Sequence, residues 1–159
     1  MQKTISSNYS QVLDQVSSTL SGLEPEDLVR QPPGCSNHAL WTLGHLVVSA
    51  QAIGGELGLD PWLPGGWNDL FGQGSKPVPD AAAYPALDEL QSALAAAARR
   101  LEDRLQVLPH EDWIGPLPDI RFRDRFPSLG NAVVHILLAH TSFHAGQLSV
   151  WRQALHGVA

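Results

Sequence analysis

Residues Ser128 to Leu155 read SLGNAVVHILLAHTSFHAGQLSVWRQAL, and this stretch forms one helix of about seven turns at 3.6 residues per turn. Pro127 blocks helix before it, Ser128 is a good N-cap, and Gly157 follows as a C-cap. Inside the stretch lie His140 and His144. Side chains four apart on a helix share a face, one above the other, so these two imidazoles can reach one metal ion. A histidine pair can also cap hydrogen-bond networks in a core. Ala139, Phe143, Ala145 and Leu148 make this helix look buried, and two buried imidazoles are costly without fixed partners.

Working outward, the other histidines sort by position. His45 stands alone in an apolar helix, where a lone histidine is as a rule a satisfied core residue. The facing pair is what enlists it as a third ligand. Three neutral imidazoles from two helices match an open three-histidine site, which leaves positions for water or substrate. His135 precedes His140 by five residues, lies about 160° from the mean direction of the pair, and is excluded. His38 shares the azimuth of His45 but lies about 10 Å away along the axis, too far for the same ion; capping, exposure or a cavity mouth are its alternatives. His110 falls in a loop and His156 at a helix end. Gln147 is a candidate to hydrogen-bond a ligand or a group behind one. Gly146, inside the helix, suggests close contact with a neighbour. Cys35 is either a fourth ligand or nucleophile, or simply a small buried thiol.

Three more amphipathic segments precede this one. Ile5, Tyr9, Val12, Leu13, Val16, Leu20 and Leu23 share one side of a first helix from about Thr4 to Gly22. A second starts after Ser36 or Asn37 as its cap, is apolar over most of its surface from Leu40 to Ile53, and is ended by Gly54-Gly55 and Gly58. A third runs from about Pro85 to Val107 with Leu87, Leu90, Leu94, Ala97, Leu101, Leu105 and Leu108 as its stripe. Between them lie a Pro-rich link at Pro25 to Pro33 and two long connections. Glu56 to Tyr84 carries Trp62, Trp67 and Phe71, rings that suit a pocket rim or a subunit interface. Pro109 to Pro127 carries Trp113, Phe122 and Phe126. With no repeat and no strand pair, the expectation is all-α: a four-helix bundle with long connections, one domain over 1–159.

Composition narrows the partners. Ten basic and sixteen acidic side chains give a net charge of −6 with histidine neutral. That balance argues against a nucleic-acid partner, which draws on clustered Lys and Arg. Arg121, Arg123 and Arg125 are close together but interleaved with Asp119 and Asp124. The single cysteine, Cys35, allows no intrachain disulfide and fits a reducing compartment. No apolar run reaches the ~18 residues of a membrane span, and the N-terminus has no apolar signal region. A cytoplasmic protein is expected, and a homodimer by the general commonness of two-fold assemblies.

WTLGHL, Trp41 to Leu46, together with HTSFHAGQL, His140 to Leu148, resembles the DinB/YfiT-like superfamily of DNA-damage-inducible four-helix proteins. The likeness extends over nearly the whole chain in helix lengths, the Trp-bearing loop before the third helix, and the Pro-Ser start of the fourth. The resemblance implies a divalent metal ion, zinc or nickel in most relatives, held by His45, His140 and His144. Relatives often carry Arg between the last histidine and Gly-Gln; Ala145 stands there in this chain. The resemblance also implies thiol-dependent transferases and an isomerase among the relatives. The family's name describes regulation and says nothing of DNA binding.

Two function classes follow. One is a metal-dependent enzyme that transfers a low-molecular-weight thiol to an electrophile, or hydrolyses a small substrate, with the ion activating the nucleophile. The other is a non-catalytic metal-binding stress-response protein or interaction module. An open cavity above the histidines favours the first, and a closing fourth ligand such as Cys35 favours an ion that is purely structural.

Overall fold

A computed structural model describes residues 1–157. The described residues are all-helical, with no strand among them. The elements are α1 (Gln2–Leu20), α2 (Pro25–Leu28), α3 (Ala39–Glu56), α4 (Trp67–Phe71), α5 (Leu87–Gln106), α6 (His110–Ile114), α7 (Leu129–Val134), a π segment (His135–His140) and α8 (Thr141–Leu155). Short 3₁₀ turns sit at Ala81–Ala83 and Ile120–Phe122.

The helix α7, the π segment and α8 run on without a break as one rod, 129–155. Four long rods therefore pack in a ring: α1 lies against α5 and the last rod, and α3 against α5 and the last rod. The apolar stripes read from the sequence face inward. Ile5, Tyr9, Leu13, Val16 and Leu20 of α1 are buried, as are Leu90, Leu94, Ala97, Leu101 and Leu105 of α5. α3 is buried nearly all round, including Leu40, Trp41, Leu43, Leu46, Val47 and Ile53. Arginines close two helix ends, where carbonyls have no partner within the helix. Arg152 donates to the carbonyls of Thr19, in the last turn of α1, and of Ser21, just beyond it, and Arg104 to that of Leu57 beyond α3.

Four expectations are corrected here. First, α3 is capped by His38 instead of Ser36 or Asn37: its Nδ1 accepts from Trp41 N–H at 3.1 Å, and its Nε2–H donates to the Val78 carbonyl at 3.0 Å. Both ring nitrogens are thus used, and the residue is fully buried, which removes the exposed alternative. Second, Gly54-Gly55 does not end α3. The helix runs on to Glu56, and Gly58, at φ +81°, makes the left-handed stop. Third, three aromatic rings of the long connections lie on this chain's own helices. Phe71 seats on Gly44, Trp62 on Gly54 and Trp113 on Gly130, in each case where a Cβ would stand within about 2.5 Å of the ring. Helix glycines here make room for rings from the loops. Fourth, Gly146 has open space where its Cβ would be, so no close neighbour explains it.

Candidate metal centre

α3 brings His45 to the last rod, and the last rod brings His140 and His144. The rod is not uniform α-helix there. His135–His140 winds as a π segment, in which residues five apart, instead of four, are joined along the axis. Thr141 follows this wider pitch, donating its hydroxyl to the Ile136 carbonyl at 2.9 Å. Leu137 within the segment is buried, and His140 at its end faces His144, four residues on in α8. The wider pitch undoes the ideal-helix angle assigned to His135, which acts on His140 electrostatically (below).

The three Nε2 atoms converge. That of His140 stands 3.2 Å from those of His45 and His144, and the donor atoms of all three lie within 4.8 Å of one another. Tetrahedral ligands at about 2.1 Å from an ion stand about 3.4 Å apart, so this spacing could hold a metal ion. Two of the rings are fixed from behind. His45 donates from Nδ1 to the Phe71 carbonyl at 2.7 Å, and His144 from Nδ1 to Gln147 Oε1 at 2.7 Å. Each bond places the proton on Nδ1 and leaves the Nε2 lone pair facing the centre. His140 Nδ1 is buried with no partner. Protein groups alone therefore leave the cluster poorly satisfied, since one proton among three facing nitrogens makes at most one hydrogen bond. A cation takes all three lone pairs, and the residues present fit one.

The electrostatics keep the rings neutral. Burial, then the neighbouring His144 and His45, and to a lesser degree His135 and Arg125, bring the His140 pKa down to about 3. Burial and His45 lower His144 to about 4, against the opposing effect of its bond to Gln147. Burial lowers His45 as well, partly offset by the Phe71 carbonyl. Neutral imidazole is the ligating form. Trp41 stacks flat on His45, ring centres 5.0 Å apart at 7°, and Phe143 meets His144 edge-on at 5.3 Å. His45 and His140 keep partial exposure, so the cluster is not sealed.

Gln147 has the role the sequence suggested, and the Phe71 carbonyl was missed. A backbone acceptor has no side-chain signature. The nearest available signal was Gly44 beside His45 on an apolar helix face, an invitation to a large ring. Cys35 does not join the cluster. It lines a separate cavity of about 420 Å³ with Thr42, Phe143, Gln147 and Trp151. Two of those residues, Phe143 and Gln147, also touch His144. The histidines themselves are not among the residues lining it. His38 is a cap, and His135 takes a hydrogen bond from Arg125 at 3.2 Å.

An all-helical fold among the described residues, with three histidines converging between α3 and the last rod, defines a helical protein with a candidate metal centre. The model of the DinB superfamily matches residues 8–148, and the chain belongs to that superfamily. No curated protein and no solved structure matches it. No helix among the described residues is long and apolar enough to cross a membrane.

Proposed function

We propose that this chain is a divalent-metal-binding DinB protein whose ligands are His45, His140 and His144, and that the centre serves a metal-dependent enzyme acting on a small molecule. Zinc and nickel both suit imidazole donors. The observation that carries this reading is the convergence of three Nε2 atoms with two of the rings held from behind by Phe71 and Gln147. An ion there would supply Lewis acidity towards a water or a thiol.

The chain's own residues do the rest. Phe71 and Gln147 orient two ligands, Trp41 and Phe143 shield the rings, and the partial exposure of His45 and His140 leaves a side for substrate. The reaction favoured is transfer of a low-molecular-weight thiol: sulfur bonds to an electrophilic carbon, a leaving group departs with its electron pair, and the thiol proton goes to solvent. Hydrolysis of a small substrate is the neighbouring chemistry. The whole chain, 1–159, works as one unit, cytoplasmic, homodimeric, and without a nucleic-acid or membrane partner.

Elemental analysis of purified protein beside His140→Ala tests the centre. Near-stoichiometric metal is expected in the first and strong loss in the second; equal content in both overturns the ligand set. Incubating the metal-loaded protein with electrophiles, with and without thiol, tests the reaction. Turnover that needs no thiol removes the transferase reading and leaves hydrolysis. No turnover of either kind leaves a metal-binding protein without catalysis.

A further inference from the structure

His38, Trp41 and His45 follow one another along α3 and its cap at spacings of three and four, so their rings share one face of the helix. Each ring donates an N–H to the same stretch of chain. His45 Nδ1 donates to the Phe71 carbonyl at 2.7 Å, Trp41 Nε1 to Ser75 Oγ at 2.9 Å, and His38 Nε2 to the Val78 carbonyl at 3.0 Å. The partners advance from 71 to 78 as the donors step back from 45 to 38. Segment 71–78 therefore lies antiparallel along this face of α3, as a strap held at three points. Its two ends meet at Tyr84, whose ring stacks on Phe71 with centres 5.6 Å apart and whose hydroxyl accepts from Val78 N–H at 2.8 Å.

Two of the three acceptors are backbone carbonyls, which any residue supplies. The third is a side chain, and it works in two directions. Ser75 Oγ accepts from Trp41 and donates to the Leu70 carbonyl at 2.9 Å, while Ser75 N–H donates to the Gly72 carbonyl at 3.1 Å. The hydroxyl thus ties the buried indole of Trp41 to the turn that also carries Phe71. The indole lies flat on the His45 ring, 7° from parallel with centres 5.0 Å apart. The Nε2 of that ring stands 3.2 Å from His140 Nε2, inside the cluster of three. A single hydrogen bond at Nδ1 tolerates a broad range of angles, whereas a flat neighbour sets the plane of the ring.

We infer that Ser75 is a positioning residue of the three-histidine centre: its hydroxyl holds Trp41 flat on His45, and through Trp41 it sets the plane in which His45 meets a metal ion. Whatever the strap adds to metal affinity, the metal returns to the strap, because coupling between two binding events is reciprocal. Segment 71–78 is then an element whose order follows occupancy of the centre. The inference rests on the metal-centre reading above and adds to it the part of the chain that holds one ligand in place.

The test uses the full-length protein, with zinc affinity measured against a competing chelator and cobalt(II) absorption reporting the geometry of the ligands. Ser75→Ala should weaken zinc binding by about tenfold and alter the cobalt spectrum. Ser75→Thr, which keeps the hydroxyl, should restore both. In Trp41→Phe, where the indole N–H is already gone, Ser75→Ala should cost no further affinity. Hydrogen exchange needs no variant: zinc added to the parent protein should slow exchange of the amides across 72–78. Parent affinity and parent spectrum in Ser75→Ala, whatever its Tm, overturn the inference and make Ser75 a residue of the strap alone. So does a loss of affinity that Ser75→Thr shares in full or that is just as large in the Trp41→Phe background. Exchange across 72–78 that ignores zinc overturns it too, and each of these results leaves the metal centre standing. A parent protein that takes up neither zinc nor cobalt sinks the metal reading, and this one with it.

Discussion

The pair α1–α5 and the pair formed by α3 with the last rod occupy opposite sides of the same ring, and they are built differently. α1 and α5 meet through regular apolar stripes of Ile, Leu, Val, Tyr and Ala, wound as plain α-helix from end to end. Neither contains a histidine. α3 and the last rod carry His45, His140 and His144, a π segment, and a glycine that admits Phe71 to the helix surface. The first pair satisfies local preference and packing at once. The second departs from local preference at several places, and at Gly44 the departure admits the ring of Phe71, whose carbonyl accepts the Nδ1–H of His45. Proteins tend to break local rules where they do chemistry, because the site needs geometry that packing alone does not select.

Acid should separate the two sides most strongly. Folding lowers the pKa of His140 to about 3 and of His144 to about 4, and that of His45 and His38 falls with burial too. Below about pH 6.5 the unfolded chain therefore binds more protons than the folded one, and stability falls with pH. The stabilisation is full above pH 6.5 and is lost progressively towards pH 3. Between pH 6.5 and 5 most carboxylates remain ionised, so a fall in the Tm of metal-free protein in that window reports on the histidines. Hydrogen exchange should show α3 and the last rod loosening before α1 and α5. A flat Tm across the window, or uniform loosening of all four rods, would break the comparison.

A smaller effect, confined to one contact, is expected at Gly44. A Cβ there would stand 2.2 Å from the Phe71 ring, which is fully buried and has nowhere to swing. Overpacking of this kind costs about 1–3 kcal/mol, more than the roughly 1 kcal/mol that alanine gains over glycine in a helix. Gly44→Ala should therefore lower stability in chemical denaturation. It should also weaken metal uptake by about 10–100-fold in competition with a chelator, because the Phe71 carbonyl that holds His45 moves with the ring. Lost stability with unchanged metal affinity would show that the His45 ring is held by Trp41 alone.

What could be read from the sequence follows the same division. The four rods were legible because each buries a stripe at helical spacing, and the convergence of three histidines because His140 and His144 are four apart on the rod that faces His45. The capping role of Ser128 and the stop at Gly157 also stand, the first with its side chain accepting from Asn131 N–H and the second at φ +69°. The π segment left no mark in the sequence: HILLAH is as compatible with α-helix as with the wider turn, and tertiary packing decides between them. His38 displaced Ser36 and Asn37 as the cap because its ring reaches Trp41 N–H and the Val78 carbonyl together, and Val78 lies forty residues away. The pairing of the three clustered arginines was hidden as well, since only coordinates show that Asp119 chooses Arg121 and that Asp124 pairs with none of the three.

Gly146 is the case where sequence reading and space disagree most, and replacing it gives the smallest expected effect. In the sequence, a glycine in mid-helix signals a close neighbour; in the structure its Cβ position is empty. Phe143 and Val150, on either side of it along α8, are largely exposed at 62% and 60%. On the isolated chain, Gly146→Ala should stabilise α8 by up to about 1 kcal/mol, through helix propensity alone, with metal content unchanged. Thermal melts at several protein concentrations check this. If a second copy packs on this face through Phe143 and Val150, the glycine is there for that copy, and alanine will lower the Tm and weaken self-association together. A gain in Tm that does not depend on concentration removes this face from any homodimer. It would leave the glycine as a departure from helix preference with no part in placing the histidines and no ring seated on it.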